Sequence, residues 1–305
     1  MQRLLRIVFA TVFACACAAA QAQANKADKA NSLDARELST AADAQLQARV
    51  DRVVRDLDLE PAVVTGRLAL ALVDLTRPLK PRLAMLNGDR MMYAASLPKI
   101  AILLGALVEA ELGRLSLDDR TLGALTQMIR YSSNDDATRV LHWVGTERLL
   151  DILQSPRFRF YDARGRGGLW VGKAYGKEPA YRRDPVANLS HGATAYQVAR
   201  FYTMLANDSL LSPDLNALMK ETLSKPGIQH KFVKGLAGRP GVRIYRKSGT
   251  WKDFHADGAL VEYRGYKYVM VGIAKHRDGG KWLVKLAAPL HDAIVSPVHQ
   301  AMARH

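Results

Sequence analysis

The stretch AASLPKIAILLGALVEA, Ala94–Ala110, puts a hydroxyl, Ser96, three residues ahead of a lone cation, Lys99, at the head of a long apolar run. Pro98 suits the first turn of a helix, where no amide donor is needed, so the spacing predicts a helix running to about Gly113. Its residues are apolar nearly all round (Ile100, Ala101, Ile102, Leu103, Leu104), which predicts a buried helix. Ser96 then falls at or just before the helix start, where unpaired amides favour a developing anion. Three residues apart, Ser96 and Lys99 can share one face. Burial lowers the pKa of a lysine toward that of a usable base, and a serine beside a base is an activated nucleophile. A capping serine followed by a snorkelling lysine would read the same way in isolation, so the rest of the chain has to decide.

The chain has 305 residues, 49% of them apolar, enough for one large core and against general disorder. Arg3 and Arg6, the apolar stretch Ile7–Ala20 and the small residues of AQAQAN compose an export signal, with a cut expected after Ala24 and Ala22 as the second choice. The run is short of a membrane span, and a lipid-modified Cys15 or Cys17 is a weaker alternative. Both cysteines lie in this segment, so the mature chain is expected to hold together without a disulfide. Its removal takes the net charge from +15 to +13. That excess is read as a basic solvated surface, with an anionic cell-wall polymer as the other partner it could favour and no nucleic acid expected.

Residues 25–40 read as a flexible leader and 41–305 as a single domain. Helices are predicted over Ala41–Asp58, Leu117–Arg130, Asp135–Trp143, Thr146–Gln154, Ala195–Leu205, Pro213–Leu223 and from about Leu290. Strands are predicted over Arg67–Leu75, Val242–Gly249, Ala259–Tyr263 and Tyr266–Ala274. RLAML and MMYAA flank Asn87-Gly88, which predicts a hairpin between them. Residues 155–192 read as a long loop region. Strands at both ends with helices between predict an α+β fold: one antiparallel sheet built from the two termini (41–95 and 225–305) and a helical lobe, 96–224, inserted between. A cleft between lobes is a common place for a site.

Two further motifs accompany the first. MIRYSSNDDATRVL carries Ser132-Ser133-Asn134 at a break between helices, and YRKSGTW carries Lys247-Ser248-Gly249-Thr250 at the end of a strand. Ser-x-x-Lys, Ser-x-Asn and Lys-Ser-Gly, in that order and in those settings, resemble the penicillin-recognising serine hydrolases, the class A β-lactamases and penicillin-binding D,D-peptidases. The resemblance covers most of residues 41–303. It implies that Ser96 is acylated and that Lys99 takes its proton. Ser132 would pass a proton to the leaving nitrogen, and Asn134 would hold Lys99 and the substrate's side-chain amide. Lys247 would raise the positive potential beside Ser132. The hydroxyls of Ser248 and Thr250 would grip a substrate carboxylate, and the amides of Ser96 and Thr250 would form the oxyanion hole, with Gly249 between them.

The sequence departs from the pattern in two ways. Ser133 stands where aspartate is usual, and the interval between the first two motifs is shorter than in class A, which puts substrate-wall residues in doubt. The deacylating base is open: Glu178-Pro179 lacks the asparagine four residues on, where Arg182 stands, whereas Asp184-Pro185 has Asn188 but a shorter acid. Glu178, Asp184 or neither could serve. The glycine-rich Arg164–Gly172 lacks phosphate-loop spacing and reads as a flexible cleft edge. His255 and Asp257 have no third ligand to complete a metal set, and no cofactor is implied. His191 and His255 read as surface histidines and Trp170 as core, with Trp251 flanking the cleft. The expectation is an exported, periplasmic or extracellular monomer that forms an acyl-enzyme on Ser96. A class A-like β-lactamase leads. A D,D-peptidase or amidase/esterase acting on cell-wall peptides, or a non-catalytic peptidoglycan-binding module, are the alternatives.

Overall fold

The computed structural model describes residues 38–164 and 167–295. The expected export signal, its cut site and most of the leader lie outside those residues. Elements are numbered from Ala44: helices α1 (Ala44–Asp56) and α2 (Glu60–Val64), strands β1 (Leu68–Asp74), β2 (Arg82–Leu86) and β3 (Met92–Tyr93), then helices α3 (Lys99–Glu111), α4 (Asp119–Arg130), α5 (Asn134–Val144) and α6 (Thr146–Gln154). Short strands β4 (Tyr161–Asp162), β5 (Gly167–Gly168), β6 (Trp170–Val171) and β7 (His191–Ala193) follow. Helices α7 (Ala195–Ala206), α8 (Pro213–Leu223) and α9 (Phe232–Gly235) lead to strands β8 (Arg243–Trp251), β9 (Phe254–Tyr263) and β10 (Tyr266–Lys275) and to helix α10 (Gly279–Val295).

The main sheet has the order β2-β1-β10-β9-β8 and is antiparallel throughout. The early strand β1 pairs with the central strand β10, Leu68 opposite Ala274 through Asp74 opposite Tyr268, so segments from the two halves of the chain meet inside the sheet. All seven β1 residues are buried because both faces are covered. Successive side chains leave a strand on opposite sides. Leu68, Leu70 and Leu72 join Val50, Val54, Leu286 and Leu290 of α1 and α10 in one core. Ala69, Ala71 and Val73 face the other way, into a second core with α3, α7 and the helical middle. The α+β architecture expected from the sequence is therefore the one observed.

Three local expectations are corrected. β2 pairs with β1, and β3 pairs with β7, so the hairpin across Asn87-Gly88 does not form. Asn87 adopts φ 51° and spends its side-chain amide on the carbonyls of Val63 and Leu68, a tie to α2 and β1 rather than a hairpin turn. The closing helix begins at Gly279, eleven residues before the predicted start, and carries Pro289 in its interior. Gly279-Gly280 and that proline read as breakers in the sequence. Finally, residues 155–192 are not a plain loop. Gly167, Gly168 and Trp170 are buried in short strands, and a side chain at Gly168 would strike the Phe160 carbonyl.

Candidate active site

The turn into α3 is built for close approach. Ala95 sits at φ 50°, the left-handed region that costs a non-glycine residue. Ala94 O then accepts from Leu97 N at 3.0 Å and Ser96 O from Lys99 N at 3.2 Å. This leaves the Ser96 amide at the helix entrance with no backbone acceptor among the described residues. Edge strand β8 runs across it. A Cβ on Gly249 would lie 2.7 Å from Ser96 N and closer still to Ala94 O, so only glycine lets β8 pass. Thr250 follows on the same edge.

Lys99 is buried with its helix. Its Nζ donates to Ser132 O at 2.7 Å, Asn134 Oδ1 at 2.8 Å and Ser133 O at 3.2 Å, with Ser132 Oγ at 3.5 Å. Loss of water pulls its pKa down to about 7, against the pull of Asp136 toward the charged form. The two carbonyls converge because Ser132 takes φ 60° and Ser133 then caps α5. The Ser133 hydroxyl accepts from Asp136 N at 3.1 Å and donates to Asp136 Oδ2 at 2.6 Å. The serine that replaces the usual aspartate is thus a helix cap, turned from the cluster. Lys247 Nζ donates to Ser132 Oγ at 2.9 Å and to Ser248 O at 2.6 Å. Burial first, and then the charge of Lys99, hold Lys247 well below the ordinary lysine range. The motifs read from three separate segments meet here.

The strand hydroxyls have partners that the sequence did not announce. Ser248 Oγ shares a 3.0 Å hydrogen bond with His230 Nε2. Thr250 Oγ1 accepts from Lys231 Nζ at 2.8 Å, and the same ammonium reaches Ala256 O at 3.1 Å. Burial brings His230 to about 4 and Lys231 to about 8, so near pH 7 the imidazole is neutral and the ammonium charged. Lys231 adopts φ 52°, held there by Asp257, which accepts from Phe232 N and forms a wholly buried ion pair with Arg246. Asp257 is therefore a scaffold residue. Nothing in IQHKF carries a period or a spacing that would have marked His230 and Lys231.

The two candidate bases are not brought into the cluster. Asp184 is buried, and its carboxylate accepts from Val186 N, Ala187 N and Leu189 N at 2.6–3.0 Å and from the Tyr161 hydroxyl at 3.2 Å. It staples its own loop. Glu178 is exposed, its carboxylate lying against Gly176. The group that does cover Lys99 is Tyr175: its ring lies 4.4 Å from Nζ, and its hydroxyl donates to Ala95 O at 3.2 Å. His191, expected at the surface, is buried against Tyr175, their rings 4.2 Å apart. Burial draws its pKa to about 4, so it is neutral. Its Nε2 donates to Lys173 O at 3.0 Å, leaving Nδ1 to the Ser190 hydroxyl at 3.3 Å. Trp170 is core, as expected, and His255 is half-buried rather than on the surface. An open cleft of about 550 Å³ adjoins the cluster, lined in part by Tyr93, Asn134, Tyr175, His191, Trp251 and Phe254. Among the described residues no group of histidine, cysteine and acid could hold a metal ion.

Antiparallel sheet, inserted helices and this meeting of Ser-x-x-Lys, Ser-x-Asn and Lys-Ser-Gly define the penicillin-recognising serine hydrolase class. A family model described as the β-lactamase enzyme family matches residues 120–294. The chain belongs to that family. The match begins downstream of Ser96 and Lys99, which the fold brings to the matched segments. Among solved structures, a β-lactamase from Sphaerobacter thermophilus superposes with TM-score 0.61 at 16% identity, over 83% of this chain and 98% of that one. PBP-A superposes with TM-score 0.62 at 16% identity, over 87% and 98%. A PBP-A mutant solved as an acyl-enzyme complex with penicillin G gives 0.61 at 17%, over 87% and 98%. These likenesses concern the fold. No curated protein matches the chain.

Proposed function

We propose that this serine β-lactamase-like hydrolase works through an acyl-enzyme on Ser96, is exported, and opens the amide of a β-lactam or of a cell-wall peptide. The observation that carries this reading is the Lys99–Ser132–Asn134–Lys247 cluster beside the Ser96 turn. Neutral Lys99 takes the Ser96 proton as Oγ attacks the carbonyl carbon. The oxyanion that forms is bound by the amides of Ser96 and Thr250, a contribution of roughly 3 kcal/mol per donor. As the C–N bond breaks, the Ser132 hydroxyl gives its proton to the leaving nitrogen and takes from Lys99 the proton that Ser96 gave up, while Lys247 holds Ser132 Oγ and raises the positive potential there. Because Lys247 donates to Ser132 Oγ, the Ser132 proton is free to point at that nitrogen. Lys231 and His230 fix the Thr250 and Ser248 hydroxyls that would meet the substrate carboxylate.

Release of the acyl group is the step the geometry serves least. Asp184 is tied to three amides of its own loop and to the Tyr161 hydroxyl, and Glu178 faces solvent. This favours a penicillin-binding peptidase or amidase, with a persistent adduct, over a fast β-lactamase. The test is an intact-mass time course of the protein with benzylpenicillin, with Ser96→Ala as control. The expected result is a stoichiometric adduct that clears over many minutes and is absent from the variant. An adduct that clears within seconds while hydrolysed drug accumulates would restore the β-lactamase reading. Absence of any adduct, with ligand still bound by Ser96→Ala, would support a pure binding module.

A further inference from the structure

The cleft beside Asn134 has two unlike walls. One is aromatic: the Tyr93 ring lies 5.5 Å from Trp251 and 5.1 Å from Phe254, and Trp251 is 49% exposed, with Lys252 Nζ 4.5 Å from its ring centre. The other carries Lys173 and Arg183. Arg183 spends Nη1 on the Asn188 carbonyl at 3.1 Å, and among the described residues neither cation is ion-paired. Among the described residues no carboxylate lines the cleft. Glu178 lies in solvent against Gly176, and Asp184 is turned into its own cage of amides. The positive field is felt inside: the charges of Lys173 and Lys99 add to burial in keeping His191 neutral. Asn134 belongs both to the catalytic cluster and to this cleft, so a substrate whose amide rests on Asn134 has its acyl substituent directed between the two walls.

We infer that this cleft is a subsite for an acyl substituent with an aromatic or similarly flat apolar body that bears a carboxylate, and that Lys173 and Arg183 select it. The inference rests on the Ser96 reading for its place in the reaction, but not for its binding chemistry. The side chains of Tyr93, Trp251 and Phe254 supply contact area, and Lys173 and Arg183, without an ion-pair partner among the described residues, supply charge selection. A cationic substituent is disfavoured by the same field.

The test uses two small amides that need no serine chemistry. 2-Phenylmalonic acid monoamide carries the carboxylate, and phenylacetamide lacks it. Titration of the intact protein, followed by quenching of tryptophan fluorescence with Trp251→Phe as reference, is expected to show the anionic amide binding roughly ten-fold more tightly. The advantage should shrink in 0.5 M salt and disappear in Lys173→Gln/Arg183→Gln, whose folding is checked by its melting curve. Equal affinities, or a preference that survives the double substitution, would overturn the inference. In parallel, adduct formation by α-carboxybenzylpenicillin should outpace that by benzylpenicillin in the unmodified protein. If neither penicillin acylates but the fragment preference holds, the Ser96 reading fails and the subsite stands.

Discussion

Lys99 and Asp184 show how burial gives two ionisable side chains opposite work. Lys99 has been stripped of water and given three oxygen acceptors, and its pKa falls to about 7. A base must be neutral to accept a proton, so the acylation rate should climb with pH through about 7 and level off above it, which stopped-flow acylation across pH 5.5–9 would check. Lys99→Arg keeps the charge but cannot deprotonate, and acylation should drop by about 10²–10⁴-fold in the same assay. Asp184 accepts four hydrogen bonds. Asp184→Ala orphans three amides, and urea unfolding should register a loss of about 2–4 kcal/mol. Were Asp184 the deacylating base, Asp184→Asn would also trap the acyl-enzyme, a readout that a purely structural role would not move. At this scale the candidates Ser96, Lys99, Ser132, Asn134 and Lys247 were legible through three ordered motifs at helix starts and a strand end that resemble the penicillin-recognising hydrolases, and the fold brings those motifs together. Tyr175, His191, His230 and Lys231 were not, since each reaches the site across sequence distances of 18 to 80 residues and leaves no local pattern.

At the scale of elements the decisive contact is β8 lying against the turn into α3. Gly249 is the gap through which strand and turn meet. Gly249→Ala should push β8 off the Ser96 amide and cut acylation by about 100-fold, measured by adduct formation, because displacements of this size misplace both oxyanion donors. The Lys231–Phe232 corner is held to β9 by the Arg246–Asp257 pair. Asp257→Ala leaves a buried guanidinium uncompensated and should cost about 3–5 kcal/mol in denaturant unfolding, against a much smaller effect for an exposed pair such as Arg182–Glu147. Long helices and paired strands were legible at this scale from periodicity alone: Thr146–Gln154 and Pro213–Leu223 begin and end where predicted. Strand partnership was not. Asn87-Gly88 has hairpin chemistry, yet the register is decided by which neighbour covers Leu83 and Met85, and that neighbour is β1.

The whole molecule is organised around a sheet in which the paired strands β1 and β10 are separated by nearly two hundred residues of sequence, with the helical lobe between them. Sheets closed by such distant partners fold slowly, since the loop must be ordered before its contacts are made. Hydrogen exchange should therefore find the slowest amides in β1 and β10, lost together in one cooperative event. The order of the motifs along the chain adds a temporal consequence. Ser96, Lys99 and Ser132 are made early, but Lys247, Gly249 and Thr250 arrive on β8, and β8 is only an unsupported ribbon until β9 and β10 have bridged it to β1. On the proposed mechanism, a chain that stops short of β10 carries Ser96 without the supported strand that completes its site, so the last strand to be made is the one that arms the serine.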